Sequence, residues 1–392
     1  MGARVTLRDL TEAVLRSWNR YEVARGAPPV VDFDCHPSSA DDVTATDRIA
    51  VRGQLHDLLV EADARPECAH IADRLGSALA YLDALLGARQ PLDDYVQATQ
   101  GCPVVGWTDD YVDGVRTTAV EALAGLGVTW GSDSAEALKQ VEKPVDPSDA
   151  ADVIQKYASD LEDDVRRLAD TDAPFSLSVE HVDLDVYWAY WLDGAGSDVR
   201  MRINSRNASF TEVQARQFAL HEVLGHGLQC ASLAQECQRD DVPWVRITSV
   251  HAQQQVLFEG LAQALPLFVQ PTDQLLTARV RLAHYVELVR AQLHIAINDG
   301  TPIADCIAFA KSHVPFWSDR AIADMLSDRG ADPLLRSYLW SYPAGIDWFV
   351  RLADTAPRSD ATAIIRAAYR TPLTPHQLTQ MWPKGPAIGG SR

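Results

Sequence analysis

Apolar residues recur at three- and four-residue spacing through most of the chain. The spacing predicts helices over residues 5–25, 46–64 and 67–87, as in CAHIADRLGSALAYLDALLG. Loops rich in Pro, Gly and Asp separate them, such as GAPPVVDFDCHPSSADD and KPVDPSDAAD. Asp133 followed by Glu136 has the form of a capping box and predicts a short helix ending before Pro144. Further helices are expected at about 249–268, 273–298, 303–312, 319–329, 333–353 and 359–370. A last one starts with Thr374 as N-cap and Pro375 in the first helical position.

One stretch breaks the pattern. At 174–204, FSLSVEHVDLDVYW alternates apolar and polar residues, LDGAGSD has turn chemistry, and VRMRIN alternates again. That is the signature of a β-hairpin. It leads into a helix opened by a capping box, Ser209-Phe210-Thr211-Glu212, which should run to about residue 236. The fold class expected is therefore mainly α, a large helical fold with a small β-hairpin or sheet beside one helix. The expected organisation is a helical N-terminal region over 1–170, a region over 171–385 carrying the hairpin and continuous with the first, and a tail over 386–392.

Composition narrows the partners. The chain has 392 residues, 47% of them hydrophobic, enough for a sizeable core. No stretch approaches the ~20 apolar residues that cross a bilayer, and the N-terminus has no apolar h-region, so neither a membrane span nor a signal peptide is expected. Cys35, Cys68, Cys102, Cys230, Cys237 and Cys306 form no CxxC pair and no regular framework, which suggests reduced thiols and a cytoplasmic location. A formal charge of −19 repels phosphate backbones and anionic lipid, making nucleic acid and membranes poor partners. The same charge serves solubility or draws in a cationic, amine-bearing substrate; composition does not separate the two.

The candidate chemistry lies in LHEVLGHGLQ, residues 220–229. A zinc peptidase helix usually carries H-E-x-x-H. Here His221, Glu222 and His226 spell H-E-x-x-x-H, one residue longer. Residues five apart lie roughly 140° apart on a regular helix, too far for two imidazoles to reach one ion. A π-bulge absorbs the extra residue, and Gly225 gives the backbone latitude to form it. A catalytic zinc takes three protein ligands and leaves a fourth position for water. Glu259 in QQQVLFEGLAQALPLF is preferred as the third ligand, because a carboxylate inside an apolar run needs a partner. His251 is the alternative.

These residues resemble the bacterial family catalogued as "domain of unknown function 885", regarded as gluzincin-like zinc peptidases. That family carries H-E-x-x-P-G-H-H-x-Q and then a helix with E-G-W. This chain has His221-Glu222-Val-Leu-Gly225-His226-Gly-Leu-Gln229 and Glu259-Gly260-Leu261. Asn204 at the end of MRIN, the run from Arg290 to Gly300, and SYPAG with Tyr342 and Gly345 extend the likeness over roughly 200–385. Departures are the missing proline, a single rather than doubled histidine, Thr301 and Pro302 where a histidine follows D-x-G, and Leu261 for tryptophan. H-E-x-x-G-H is also similar to the zinc motif of the dipeptidyl peptidase III family.

The expectation is a metallopeptidase-like fold holding one Zn²⁺ per chain on His221, His226 and Glu259. Its water would be acidified towards a pKa of ~7, and Glu222 would act as general base on a peptide or other small amide. The resemblance implies Tyr342 as oxyanion donor, with Tyr338 second. Asn204 and Arg336 are expected at the substrate, Asn204 near an edge strand that pairs with peptide and Arg336 on a carboxylate. The alternatives are a zinc-dependent metabolite enzyme, either a lyase or a non-peptide hydrolase, and a catalytically inactive relative.

Overall fold

The computed structural model describes residues 6–38, 44–183, 190–204, 206, 209–239 and 241–391. The protein is mainly α. In the first part of the chain, α1 (Leu7–Ala24), α2 (Arg48–Asp63) and α3 (Ala69–Leu85) form where the periodicity places them, with β1 (Phe33–Asp34) between the first two. Then come α4 (Leu92–Gln100), β2 (Gly106–Trp107), α5 (Asp109–Gly125), α6 (Ser134–Glu142) and α7 (Ala150–Ala169). Strands β3 (Ser176–Val182), β4 (Tyr190–Ala195) and β5 (Asp198–Asn204) lead into α8 (Glu212–Phe218), which runs on through a π-helical segment into α9 (Leu228–Glu236). After β6 (Ile247–Thr248) the chain is helical to near its end: α10 (Gln255–Val269), α11 (Gln274–Asn298), α12 (Ile303–His313), α13 (Asp319–Gly330), α14 (Leu335–Tyr338), α15 (Ser341–Thr355), α16 (Arg358–Ala368) and α17 (Pro375–Met381). A short β7 (Gly390–Ser391) closes it. No helix among the described residues is long and apolar enough to cross a membrane.

Local signals hold at some termini and shift at others. Thr374 caps α17 with Gln377 returning the bond, as the sequence predicts. The box before α8 sits two residues later than Ser209–Glu212: Thr211 is the N-cap and Gln214 its partner. Asp133 makes no side-chain cap; instead the Ser134 hydroxyl accepts the Gly131 N–H at 2.7 Å. The helix expected over 333–353 is two helices. Pro343 has no N–H to offer the carbonyl four residues back, so it is accommodated in the first turn of α15 rather than inside a continuous helix.

The β element is larger than a hairpin and draws on both halves of the chain. Its strand order is β3-β5-β4-β1-β6. The antiparallel pair is β4 with β5, joined through Gly196 at φ +61°, while β3 lies parallel on the other side of β5. The first hairpin arm is thus Tyr190–Ala195 and not FSLSVEHV; residues 184–189 of the predicted arm lie outside the described residues. Strand β1, from the N-terminal region, is inserted between β4 and β6. Residues set apart in the sequence as a tail supply β7, which pairs with β2.

The cores do not divide at residue 170. A small one joins α1–α3 through Leu15, Trp18, Leu55, Leu75 and Leu82, and takes in Val245 and Ile247. The large one runs from Phe33 through α5–α7 to Ile388. At its centre α10 is buried along Gln255–Pro266 and packs against α15 and the π segment. Helices α10 and α15 approach through paired glycines. A Cβ on Gly260 would fall 2.5 Å from the Cα of Gly345, and one on Gly345 would fall 2.4 Å from the Val256 carbonyl oxygen. The obstacle is backbone, so neither side can yield by a rotamer change. Gly345→Ala is expected to destabilise the protein by about 1–3 kcal/mol or more, read as a lowered urea midpoint; an unchanged midpoint would mean that the two helices slide apart freely.

Candidate metal centre

The π-helical segment Ala219–Gly227 lies over the motif and contains both histidines. It brings His221 Nε2 within 3.1 Å of His226 Nε2, although an ordinary helix would turn them away from each other. Gly225 is required by this geometry. A Cβ there would lie 2.8 Å from the Leu220 carbonyl oxygen, five residues back, and 3.0 Å from Ala262 Cβ on α10. The extra residue is therefore accommodated where the backbone has no side chain.

Glu259, on α10, faces both imidazoles. Its Oε2 lies 3.5 Å from His221 Nε2 and its Oε1 lies 3.7 Å from His226 Nε2. Glu222 reaches His221 Nε2 at 3.5 Å, and the ligand atoms of His221, Glu222 and His226 all lie within 4.8 Å of one another. Among the described carboxylates only Glu259, however, approaches both histidines within 4 Å. His251 is elsewhere: its Nε2 is 3.4 Å from Arg74 Nη1 and its ring stacks on Tyr81 at 4.5 Å. Burial, and then Arg74, drive its pKa well below the usual range, so it is a neutral packing residue.

The set fits a tetrahedral ion. Ligand atoms ~2.0–2.2 Å from a tetrahedral zinc sit roughly 3.3–3.6 Å apart, against 3.1, 3.5 and 3.7 Å here. Glu259 Oε2 is closed to solvent and has no hydrogen-bond donor, an orphan oxygen in the place where an ion would be bound. Burial by itself disfavours the Glu259 carboxylate, but His226 and His221 outweigh it and hold its pKa far below the usual range. Glu222 differs: burial pushes its pKa up, and the histidines only partly offset that.

Two tyrosines complete the centre. Tyr338 donates its hydroxyl to Glu259 Oε1 at 2.5 Å, and the Tyr342 hydroxyl lies 2.9 Å from that of Tyr338. Burial first, and then the Glu259 charge, raise both phenols well above their usual range, so both remain donors. Gly260, next to Glu259, and Gly345, three residues after Tyr342, are the pair at which the helices meet.

Two other expected residues are not there. Arg336 is buried and committed: Nε donates to Asn298 Oδ1 at 2.6 Å, Nη2 donates to the Gln90 carbonyl at 2.9 Å, and the guanidinium lies over the Tyr95 ring. It braces α14 and lines none of the cavity at the metal centre. Asn204 is buried at the end of β5, and β5 is flanked by β3 and β4. It is therefore not an edge strand, and its backbone has no free side to offer a peptide; the edges are β3 and β6.

The cavity over Glu222, His226 and Glu259 has a volume of about 200 Å³. Its other walls come from distant parts of the chain. Pro28, Pro29, Asp32 and Phe33 precede or form β1; Trp191 and Leu192 lie on β4; Leu334 and Leu335 begin α14. Asp32 had no periodic signal around it. Its neighbours VVDFD resemble any loop, and β1 exists only through pairing with β4 and β6.

No protein-family model matches the chain, and no curated protein matches it. Among solved structures it is similar to the "putative lipoprotein" from Colwellia psychrerythraea, at 14% identity and a TM-score of 0.56. The match covers 84% of this chain and 62% of that one. At that identity the likeness concerns fold alone.

Proposed function

We propose that the protein is a zinc-dependent hydrolase of a peptide or other small amide. The observation that carries this reading is the triangle of His221 Nε2, His226 Nε2 and a Glu259 carboxylate, with Glu222 beside it and outside it. When bound, zinc supplies Lewis acidity, acidifying water and polarising a carbonyl. The remaining chemistry belongs to side chains. Glu222 accepts the proton of the attacking water and returns it to the departing amine; its burial favours holding the proton between those events. Tyr338 spends its hydrogen on Glu259, fixing that carboxylate. With that hydrogen spent, Tyr342 donates its own to the Tyr338 oxygen, and turning it from there to the developing oxyanion is the role that suits it.

A cavity of about 200 Å³ is smaller than the ~300–1,000 Å³ typical of drug-sized ligands, which favours a short substrate segment. Incubating the zinc-loaded protein with a mixed peptide library should yield defined cleavage products by mass spectrometry. Chelation should stop cleavage and zinc should restore it. An intact library from protein that holds its zinc would move the reading to a metabolite.

A further inference from the structure

We propose that Asp32 anchors a cationic ammonium group of the substrate, so that the site selects molecules with a free amine close to the amide that is cleaved. This rests on the hydrolase reading above for the reaction, but on its own observations for the amine.

Asp32 stands just before β1, with its N–H bonded to the Thr248 carbonyl at 3.1 Å, and it lines the same cavity as Glu222, His226 and Glu259. Its side chain accepts the Val250 N–H, but Oδ2 is closed to solvent and has no donor. An unpaired carboxylate oxygen in such a place is costly. The nearby cation relieves it only in part, because its N–H groups are directed elsewhere. Arg74 directs Nη2 to Ser249 Oγ at 2.5 Å and Nη1 to His251 at 3.4 Å. Burial, opposed by Arg74 and reinforced by Glu259, leaves the Asp32 carboxyl up at about 7, so a positive ligand group would relieve a real electrostatic penalty.

The surroundings agree on the sign of that group. Among the described residues that line the cavity there is no Lys or Arg, while Asp32, Glu222 and Glu259 are all carboxylates. A substrate carboxylate would face three carboxyl side chains and find no Lys or Arg to pair with, His226 being committed to the proposed metal triangle. An ammonium meets a waiting acceptor, and the chain's −19 charge assists its approach. Asp32 and Glu222 line one cavity of about 200 Å³, so an amine at the first and an amide at the second belong to one short substrate. Pro28, Pro29, Trp191 and Leu192 then offer apolar contact to the substituent between them.

The test is calorimetric titration of the zinc-loaded Glu222→Gln protein, which binds without turning over. L-leucinamide and N-acetyl-L-leucinamide are compared on protein with Asp32 intact and again with Asp32→Asn. L-leucinamide should bind at least about tenfold more tightly than its acetylated form, and Asp32→Asn should remove that preference. Equal affinity of the two probes, failure of L-leucinamide to bind, or a preference that survives Asp32→Asn would each overturn the proposal. The acetylation comparison needs no change at Asp32, so it stands even if that variant does not fold. The readout is heat of binding and is therefore separate from hydrolysis. A protein that cleaves no peptide yet prefers the free amine loses the hydrolase reading alone, and one that cleaves peptides without that preference loses the Asp32 assignment alone.

Discussion

Replacing Glu222 with Gln should lower kcat by on the order of 10²–10⁴-fold while zinc content remains at about one ion per chain. Glutamine keeps the shape of the buried side chain but cannot take up a proton. The proposed metal triangle does not depend on it: Glu259 is 3.5 and 3.7 Å from the two histidines, whereas Glu222 comes within 4 Å of His221 alone. KM should change little, because the loss falls on proton transfer rather than on binding. Zinc analysis beside steady-state kinetics separates the possibilities. Loss of zinc would make Glu222 a ligand; full activity with zinc retained would mean that another group deprotonates the water.

What the sequence reveals about this centre follows from how local each signal is. The π segment is legible because its cause is local: two histidines five apart, with a glycine where the Leu220 carbonyl presses in. Glu259 is legible because a lone carboxylate in an apolar helix needs a partner wherever that helix packs. The misreadings share the opposite property. Arg336 resembles an available cation until it is known that Asn298 and Gln90 close around it, 38 and 246 residues away. Asn204 resembles an edge residue until β3 arrives in parallel on the far side of β5. Asp32 escapes notice altogether, because β1 is two residues long and is defined by its neighbours rather than by its own pattern. At the helix starts, Ser209 and Thr211 compete for the same role, and the choice falls to Thr211, whose hydroxyl also reaches Glu142 on a distant helix.

His226→Ala should remove zinc binding and also weaken the metal-free fold. With no ion present, Glu259 is a buried carboxylate whose charge is balanced by His226 and His221; burial and Glu259 act in opposite directions on His226, and Glu259 prevails, raising its pKa to about 9. Alanine at 226 leaves that carboxylate with His221 and the Tyr338 hydroxyl only, and breaking a buried pair by deleting one member typically costs about 3–5 kcal/mol. Some of that cost can be recovered if Glu259 takes up a proton, so a thermal midpoint measured without metal should fall less at low pH than at neutral pH. The reason lies in the sign of the Glu259 shift. Its folded pKa is depressed, so the stability it contributes is present above the ordinary carboxylate range and is lost as pH falls towards the folded value. His251→Ala is the matched control: it also deletes a buried imidazole, but one that touches Arg74 and Tyr81, so it should cost packing and leave zinc in place. Full zinc binding by His226→Ala would show that the ion does not need the fifth-residue histidine, and the π segment would then require a different explanation.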